Sequence, residues 1–485
     1  MGAPRALTSA LLLLWPAAAP EPAPTLDAFE EISSWQAAPA EGVKLSLSKA
    51  PGVHGDALRF DFDFQGRAGW AAVRRELPID LPENYEISFS IRGAGAANDL
   101  ELKLIDPSGE NVWWAVRREF DPPREWTTLR FKKRHFSFAW GPARGGEIQR
   151  IGALEIVVTA RAGGAGWIAL DDLTLAALPA AGPPAHPPVL SASAEEPGGE
   201  PGRAMDGDPA TGWRSARSGD VWIAADFEKR REYGGLTVHW EPGRFARRYR
   251  VETSDDGQTW KTAREVEAGS GGRDDLYLPE SESRFVRLRM LEPGGAGGYG
   301  IRDLVVQPLS YGESPNAFFE AVAREAPRGT YPRAFSGEQS YWTVVGVDGD
   351  SESALLSEDG AAEPSRGSFS VEPFLFANGR LFSWSDVRAE HTLEGGDLPM
   401  PHVTWTGLPL PLEIAAFAWG PAASAQLELE YRISNPTGAP QRGRLFLAVR
   451  PFSVNPPQQF LNGPGGATPV HRLEWDQEAV SVDGV

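Results

Sequence analysis

Short segments in which apolar and polar residues alternate recur along the sequence, and they restrict the chain to antiparallel β-sheets. The period of two is clear in residues 57–64, 85–91, 100–105 and 154–158, and it gives each strand one buried and one solvent-facing side. Glycine, proline and asparagine turns separate these segments at near-regular spacing, which is typical of a two-sheet sandwich. We therefore predict an all-β fold built from tandem β-sandwich (jelly-roll) modules.

Length, charge and cysteine content exclude several classes of protein. A chain of 485 residues is longer than one hydrophobic core usually organises, so we expect several domains. The formal net charge of −19 repels polyphosphate, which argues against nucleic acid as a general partner. Cysteine is absent, so the chain has no disulfide, no thiolate metal site and no cysteine nucleophile.

Two joints divide the sequence. Residues 179–187 are rich in proline, which removes backbone donors and extends the chain, so we predict a linker there that ends a first module at residues 26–178. Ser314 and Pro315 open the second joint, within a connector at residues 309–328. Serine at the N-cap, proline at the first helical position and apolar residues on one face predict one short helix.

The N-terminus predicts export. Within residues 1–20, Arg5 precedes an apolar stretch that ends in small residues, as in a secretory signal peptide. The stretch is too short to span a membrane as a helix, and we expect no transmembrane segment elsewhere. An unstructured N-terminal tail is the alternative. We predict a secreted or periplasmic bacterial protein.

A series of motifs lies between the two joints. Residues 204–215 form a tight acidic turn that closes on a Thr-Gly-Trp step. Further motifs follow in order at residues 222–227, 249–260, 284–288 and 300–306. Together they make residues 188–308 resemble the discoidin family, the F5/8 type C domains, whose bacterial members include the family 32 carbohydrate-binding modules. The resemblance implies a β-sandwich that binds a ligand, with carbohydrate as the leading class.

The resemblance also implies a ligand site on loops at one end of the module, where an aromatic ring stacks on a sugar face beside charged or amide groups. Tyr299 is the expected ring, and a buried ring is the alternative for it. The other candidates are Arg214, Arg217, Phe245 and Arg247. We expect the remaining aromatic residues at family positions to be buried, namely Trp213, Trp222 and Trp260.

The acidic turn is a candidate Ca²⁺ site. Asp206, Asp208 and Thr211 offer carboxylate and hydroxyl oxygens around Gly207, which permits a sharp bend. The resemblance adds Asp303 from the last strand, where the family usually has the longer glutamate. The alternative is an Asx-type turn satisfied by its own backbone. In either case the role is structural.

The first module offers a second aromatic surface. Its opening residues 27–30 and closing residues 167–175 resemble the ends of a jelly-roll carbohydrate-binding module. Trp113 and Trp114 are adjacent, so their rings face opposite sides of a strand and one of them faces outward. With Trp140 they are candidates for stacking on a saccharide. A tryptophan covered by a neighbouring loop or domain is the alternative.

Residues 329–485 predict a larger β domain. Residues 431–457 resemble the β-supersandwich that precedes an α-helical six-hairpin barrel in several glycosidase and phosphorylase families. Since no helical region follows, we expect the domain to be incomplete at its C-terminus. Linear sequence cannot identify a catalytic pair of acids, and the candidates are Glu358, Asp359, Glu372 and Asp386.

We therefore predict a secreted multi-module protein that binds polysaccharide or glycan, the non-catalytic N-terminal part of a glycan-active protein. Linked modules would gain avidity on a polymer. One alternative is a glycoside hydrolase-like enzyme whose catalytic barrel lies beyond residue 485. Another is a cell-surface adhesion protein that binds protein or lipid. The sequence does not indicate an oligomeric state.

Overall fold

Antiparallel sheets account for most of the structure, a computed structural model that describes residues 24–178, 186–350, 352–459 and 465–484. The all-β prediction is confirmed. The chain divides into two compact units, Met1–Pro183 and Pro184–Val485. The predicted signal peptide and all but two residues of the predicted linker lie outside the described residues. No helix in the described ranges is long and apolar enough to cross a membrane.

The first unit is a sandwich of two sheets. One sheet has the order β3-β4-β12-β6-β9, with β1 paired to β12, and the other has the order β10-β8-β7-β11-β5-β2. Each of the four alternating segments quoted above lies in a strand. The strands are β1 Thr25–Asp27, β2 Trp35–Ala37, β3 Lys44–Pro51, β4 Asp56–Asp63, β5 Trp70–Asp80, β6 Tyr85–Ala94, β7 Asn98–Ile105, β8 Val112–Phe120, β9 Thr127–Lys132, β10 Ser137–Trp140, β11 Arg150–Thr159 and β12 Ala165–Ala177.

The inward residues of both sheets form one core. Phe60 and Ile87 come from the first sheet, Leu102 and Ile156 from the second, and all four are buried. Burial of such side chains contributes roughly 1.5–3 kcal/mol each. This core explains why the period of two in the sequence is regular.

The second unit begins with a seven-stranded sheet of order β14-β19-β15-β18-β16-β17, with β13 paired to β15. Its two longest strands bend where Glu228 and Glu280 have positive φ, and residues from both halves of these strands line one core, among them Ile223 and Val238. The strands are β13 Val189–Ala192, β14 Trp213–Arg214, β15 Val221–Trp240, β16 Ala246–Ser254, β17 Lys261–Val266, β18 Arg273–Pro293 and β19 Gly300–Gln307.

The predicted connector helix is present as α1, Pro315–Glu325. The hydroxyl of Ser314 accepts a hydrogen bond from the backbone N–H of Ala317 at 3.1 Å, as an N-cap serine should. Phe318 packs against Tyr277 of β18 and against Tyr311 of the connector, with ring centroids 5.4 and 5.2 Å apart. This packing fixes the helix to the sheet that precedes it.

The rest of the second unit is another sandwich. One sheet has the order β20-β21-β22-β23-β24, with β29 paired to β23, the other has the order β25-β26-β27-β28, and β30 pairs with β31. Leu375 of the first sheet and Ile414 of the second share a core. The strands are β20 Trp342–Val345, β21 Ala354–Ser357, β22 Ala362–Glu363, β23 Ser370–Ala377, β24 Arg380–Phe382, β25 Arg388–Leu393, β26 Pro401–Thr406, β27 Leu412–Trp419, β28 Gln426–Ile433, β29 Gly443–Arg450, β30 Leu473–Trp475 and β31 Val480–Val482.

Candidate functional site

An ion-pair cluster holds the loops at one end of the discoidin-like sheet. Arg214 Nε donates hydrogen bonds to both carboxylate oxygens of Glu241, at 2.8 and 2.9 Å. Arg244 Nη2 donates to Glu196 Oε1 at 2.6 Å and to the carbonyl oxygen of Ser215 at 3.0 Å. The hydrogen bond from Arg214 lowers the pKa of Glu241. The charge of Arg214 is therefore engaged within the protein.

Tyr299 lies inside the module, so the prediction of a surface ring is wrong. Its side chain is 0 % exposed. The hydroxyl donates to the carbonyl oxygen of Gly219 at 2.9 Å, and the backbone N–H donates to Ser215 Oγ at 2.7 Å. Burial raises the pKa of the Tyr299 phenol. The ring is held inward because its hydroxyl has hydrogen-bond partners there, the carbonyl oxygen and the N–H of Gly219.

Phe245, just before β16, and Arg247, at the start of that strand, have different environments. Phe245 is half-buried and packs against the core. A side chain at Gly294 would place Cβ 2.0 Å from the Phe245 ring, so the loops close tightly on it. Arg247 is exposed, with Nη1 3.5 Å from Glu292 Oε1. Of these two residues, only Arg247 has a polar side-chain group, and that group faces solvent.

Arg217 lines a groove beside these loops. The groove has a volume of about 270 Å³, and we call it the arginine groove. Arg289 donates to both oxygens of Asp220, from Nε at 2.8 Å and from Nη2 at 2.6 Å. Within the described ranges, no residue accepts a hydrogen bond from the exposed Arg217 guanidinium. The lining residues are Ser193, Arg217, Asp220, Trp222, Arg287 and Arg289.

Trp222 provides the aromatic surface of the arginine groove. Its neighbours Val221 and Ile223 are fully buried, so the alternation of a strand directs Trp222 to the other side, where it is half-buried. Trp260 is half-buried as well, and Arg287 stacks on it with Cζ 3.9 Å from the ring centroid. Core positions were predicted for both, and this is wrong. For Trp213, at 0 % exposure, the same prediction is confirmed.

Asp206, Asp208 and Thr211 lie together in the acidic turn. Asp206 Oδ2 accepts from Thr211 Oγ1 at 2.7 Å, and Oδ1 accepts from the N–H of Asp208 at 2.9 Å. Asp208 Oδ1 accepts from the N–H of Ala210 at 2.9 Å. The hydrogen bond from the Asp208 N–H, followed by that from Thr211, lowers the pKa of Asp206. These contacts are those of an Asx-type turn.

Asp303 adds a half-buried carboxyl near the same turn. Burial raises its pKa, and the negative charge of Asp206 raises it further, whereas His239 acts in the opposite direction. Across the described part of the chain, no cluster of three or more His, Cys, Asp or Glu residues is arranged to hold a metal. The oxygen ligands suit Ca²⁺ chemically, but its binding would require hydrogen bonds within the turn to open.

The first unit carries an exposed aromatic patch, formed by Trp114, Trp140 and Lys103. Trp113 is buried and donates its indole N–H to the carbonyl oxygen of Gly146 at 2.7 Å, so it is not available to a ligand. Trp114 is half-buried and faces the opposite side, as predicted. Trp140 is 47 % exposed, and its ring centroid lies 5.8 Å from that of Trp114 in an edge-to-face contact.

The four candidate acids of residues 329–485 form ion pairs. Such pairing is common in structural carboxylates, and it gives no pair the free acid and base that glycoside hydrolysis uses. The pairs are Glu358 and Asp359 with Arg333, Glu372 with Arg450, and Asp386 with Arg380.

The sequence of the central module matches a known domain family. Residues 189–304 match the family model of the F5/8 type C domain. The predicted resemblance of residues 188–308 is therefore confirmed. The match covers about a quarter of the chain, and no curated protein matches the chain.

Solved carbohydrate-binding modules are similar to parts of the chain. One is chitosan-binding module 2 of a chitosanase/glucanase from Paenibacillus sp. IK-5, in complex with chitotriose, at 26% identity and TM-score 0.24, covering 26% of this chain and 99% of that chain. Another is the family 11 module from Clostridium thermocellum in complex with a β-1,3-1,4-mixed-linked tetrasaccharide, at 21% identity and TM-score 0.28, covering 32% and 94%. At these scores the similarity carries no conclusion about the ligand of this chain.

Proposed function

We propose that this chain binds polysaccharide or glycan through its F5/8 type C domain. The observation that carries the proposal is the arginine groove, where the half-buried ring of Trp222 lies beside the free guanidinium of Arg217. A sugar ring presents C–H groups to an aromatic face and hydroxyl oxygens to cationic donors. A concave site with one aromatic face and a few convergent polar groups is the usual form of a small-ligand site.

The aromatic patch of the first unit supports the proposal that the chain has more than one binding module. Lys103 Nζ lies 5.3 Å from the Trp140 ring centroid and 2.9 Å from Glu101 Oε2. The Lys103 side chain is 11 % exposed and lies over the Trp140 ring, so the exposed part of that ring is what a sugar could reach. Two weak sites on one chain raise the avidity for a polymer through effective concentration.

The test is affinity electrophoresis of the full chain in gels that contain neutral, aminated or anionic polysaccharides. We expect retardation by at least one polysaccharide. Arg217→Ala and Trp222→Ala should each weaken binding by about tenfold, which is the effect of losing about 1.4 kcal/mol from a main contact.

Arg247→Ala is the matched control, because Arg247 is an exposed arginine of the same module, at the start of β16 and outside the arginine groove. Unchanged mobility of the full chain in every gel would refute carbohydrate binding. Equal losses of polysaccharide binding in the Arg217 and Arg247 variants would show that the binding site lies outside the arginine groove.

We also propose that the protein is exported and that the acidic turn takes up a structural Ca²⁺. Support for export is the signal-like composition of residues 1–20, and the N-terminal sequence of the mature protein would test it. Support for Ca²⁺ is the convergence of Asp206, Asp208 and Thr211 oxygens on one turn.

A further inference from the structure

A cleft with a volume of about 460 Å³ opens in the C-terminal sandwich of the second unit. It lies where the edge strand β20 of one sheet meets the edge strand β25 of the other. The F5/8 type C match ends at residue 304 and does not reach it. The residues that matter here are Tyr341, Trp342, Glu358, His391, Leu393 and His402.

Exposed apolar side chains form one part of the cleft. Tyr341 is 60 % exposed and Leu393 is 42 % exposed, while Trp342 is half-buried. Tyr341 is nevertheless fixed at its backbone, because its N–H donates to Glu358 Oε1 at 3.1 Å and its carbonyl accepts from the N–H of Glu358 at 2.8 Å. A ring that is anchored at its backbone but open on its face loses little entropy when a ligand stacks on it.

Hydrogen-bonding groups with free capacity form the other part. His391 Nε2 lies 2.8 Å from the carbonyl oxygen of Glu358. A carbonyl only accepts, so Nε2 carries the hydrogen and Nδ1 of the neutral ring is an acceptor. Among described residues, none hydrogen-bonds to that Nδ1 or to the Trp342 indole N–H. The cleft thus offers a donor and an acceptor beside its aromatic face.

The charge around the cleft is acidic. His402 Nε2 lies 3.0 Å from Glu394 Oε2, and its Nδ1 lies 2.9 Å from Glu413 Oε1. One imidazole therefore faces two carboxylates, of which Glu413 also pairs with Arg432 at 3.3 Å. Glu358 adds a third carboxylate near the cleft, partly compensated by Arg333 at 3.5 Å. Negative charge at this density repels an anionic ligand and tolerates a neutral or cationic one.

We propose that this cleft is a further saccharide site, separate from the arginine groove and the aromatic patch, and that it takes a neutral or amino sugar. The choice of a saccharide rests on the proposed function, whereas the location and the charge preference rest on the cleft alone. A cavity of this size accommodates one or two sugar rings. Tyr341 provides the stacking face, and His391 and Trp342 bond to hydroxyl groups.

The test is hydrogen–deuterium exchange of the full chain with cellotetraose, galactotetraose, chitotetraose and tetragalacturonate as separate probes. We expect slower exchange at residues 341–343 and 391–393 with at least one neutral or amino oligosaccharide, and none with tetragalacturonate. Tyr341→Ala and His391→Ala should weaken binding of that probe by about tenfold. Tyr341→Phe, which keeps the ring, should bind as the unmodified chain does.

Two controls separate this proposal from the proposed function. Trp475→Ala removes a ring that is 66 % exposed in the same unit but outside the cleft, and Arg217→Ala removes the groove cation. Neither should change exchange protection at the cleft. Protection confined to the arginine groove, or normal binding by a Tyr341→Ala chain, overturns the proposed saccharide site in the cleft. Neither result contradicts the proposal that the chain binds carbohydrate. The absence of protection anywhere with all four probes overturns both.

Discussion

The phenol of Tyr299 donates a hydrogen bond to the carbonyl oxygen of Gly219 at 2.9 Å. The contact joins the start of the last strand of the F5/8 type C domain to the loop that carries Arg217. Tyr299, which the sequence predicts as a ligand contact, therefore holds in place the loop that faces the arginine groove.

Replacement of Tyr299 tests this structural role. Tyr299→Phe removes both hydrogen bonds of the phenol, the one donated to the Gly219 carbonyl oxygen and the one accepted from the Gly219 N–H, and should lower the free energy of unfolding by about 1–2 kcal/mol. Tyr299→Ala leaves a cavity as well and should cost about 3–5 kcal/mol. Urea unfolding of the full chain measures both. An alanine variant as stable as the unmodified chain would contradict the buried position.

Trp140 should contribute to glycan binding without contributing much to stability. Trp140→Ala should weaken retention on a polysaccharide bound by the first unit by about tenfold. Trp70→Ala is the control, because Trp70 is 48 % exposed on β5, which three strands separate from β10 in the same sheet. Affinity electrophoresis compares the two. Equal losses would show that exposed area, not the aromatic patch, governs retention.

Glu241 should make the F5/8 type C domain sensitive to acid. Its pKa in the folded protein is lowered from the ordinary 4.5 by Arg214, so its stabilising effect is complete above that value and is lost as pH falls through the lowered one. Glu241→Gln should therefore cost about 1 kcal/mol at pH 7, and the difference should shrink below about pH 4.5.

Thermal unfolding at a series of pH values checks this prediction. Glu292→Gln is the control, because Glu292 is 46 % exposed and pairs only loosely with Arg247. A Glu241→Gln chain whose deficit stays constant down to pH 3 would contradict the link to this carboxyl.

Ca²⁺ should stabilise the chain through the acidic turn. A ligand that binds only the folded state at about a hundredfold excess over its Kd adds about 2.7 kcal/mol. The unfolding midpoint should rise in CaCl₂, fall back in EDTA and stay unchanged in Asp206→Asn. MgCl₂ at equal ionic strength controls for salt. Identical midpoints in all three solutions would show that the turn is satisfied by its own hydrogen bonds.

Local patterns predicted what local physics determines. The alternation in residues 57–64 places Phe60 in the core, and Ser314 followed by Pro315 begins α1 as expected. The outward position of Trp222 was also within reach, because it precedes the buried Ile223 by one residue. At this position the family resemblance predicts a core tryptophan and the alternation predicts an outward one, and the structure agrees with the alternation.

Contacts between distant residues could not be predicted in the same way. Arg214 meets Glu241 and Tyr299 meets Gly219 only after the sheet has formed. The cleft brings together Tyr341 and His391, which are fifty positions apart in the sequence, at two edge strands. No motif marks such a place, because an edge-strand cleft requires only that two sheets diverge.

Phe318 and Phe319 occupy adjacent positions on α1 and serve different neighbours. Phe318 packs on Tyr277 and Tyr311, whereas Phe319 packs on Phe452 of the C-terminal sandwich with ring centroids 4.8 Å apart. A recombinant domain that ends at residue 308 would lack Phe318, so the Tyr277 ring would lose its aromatic contact. The shortest recombinant fragment that keeps Tyr277 covered ends with α1, at Glu325. In that fragment Phe319 still loses its contact with Phe452 and is exposed.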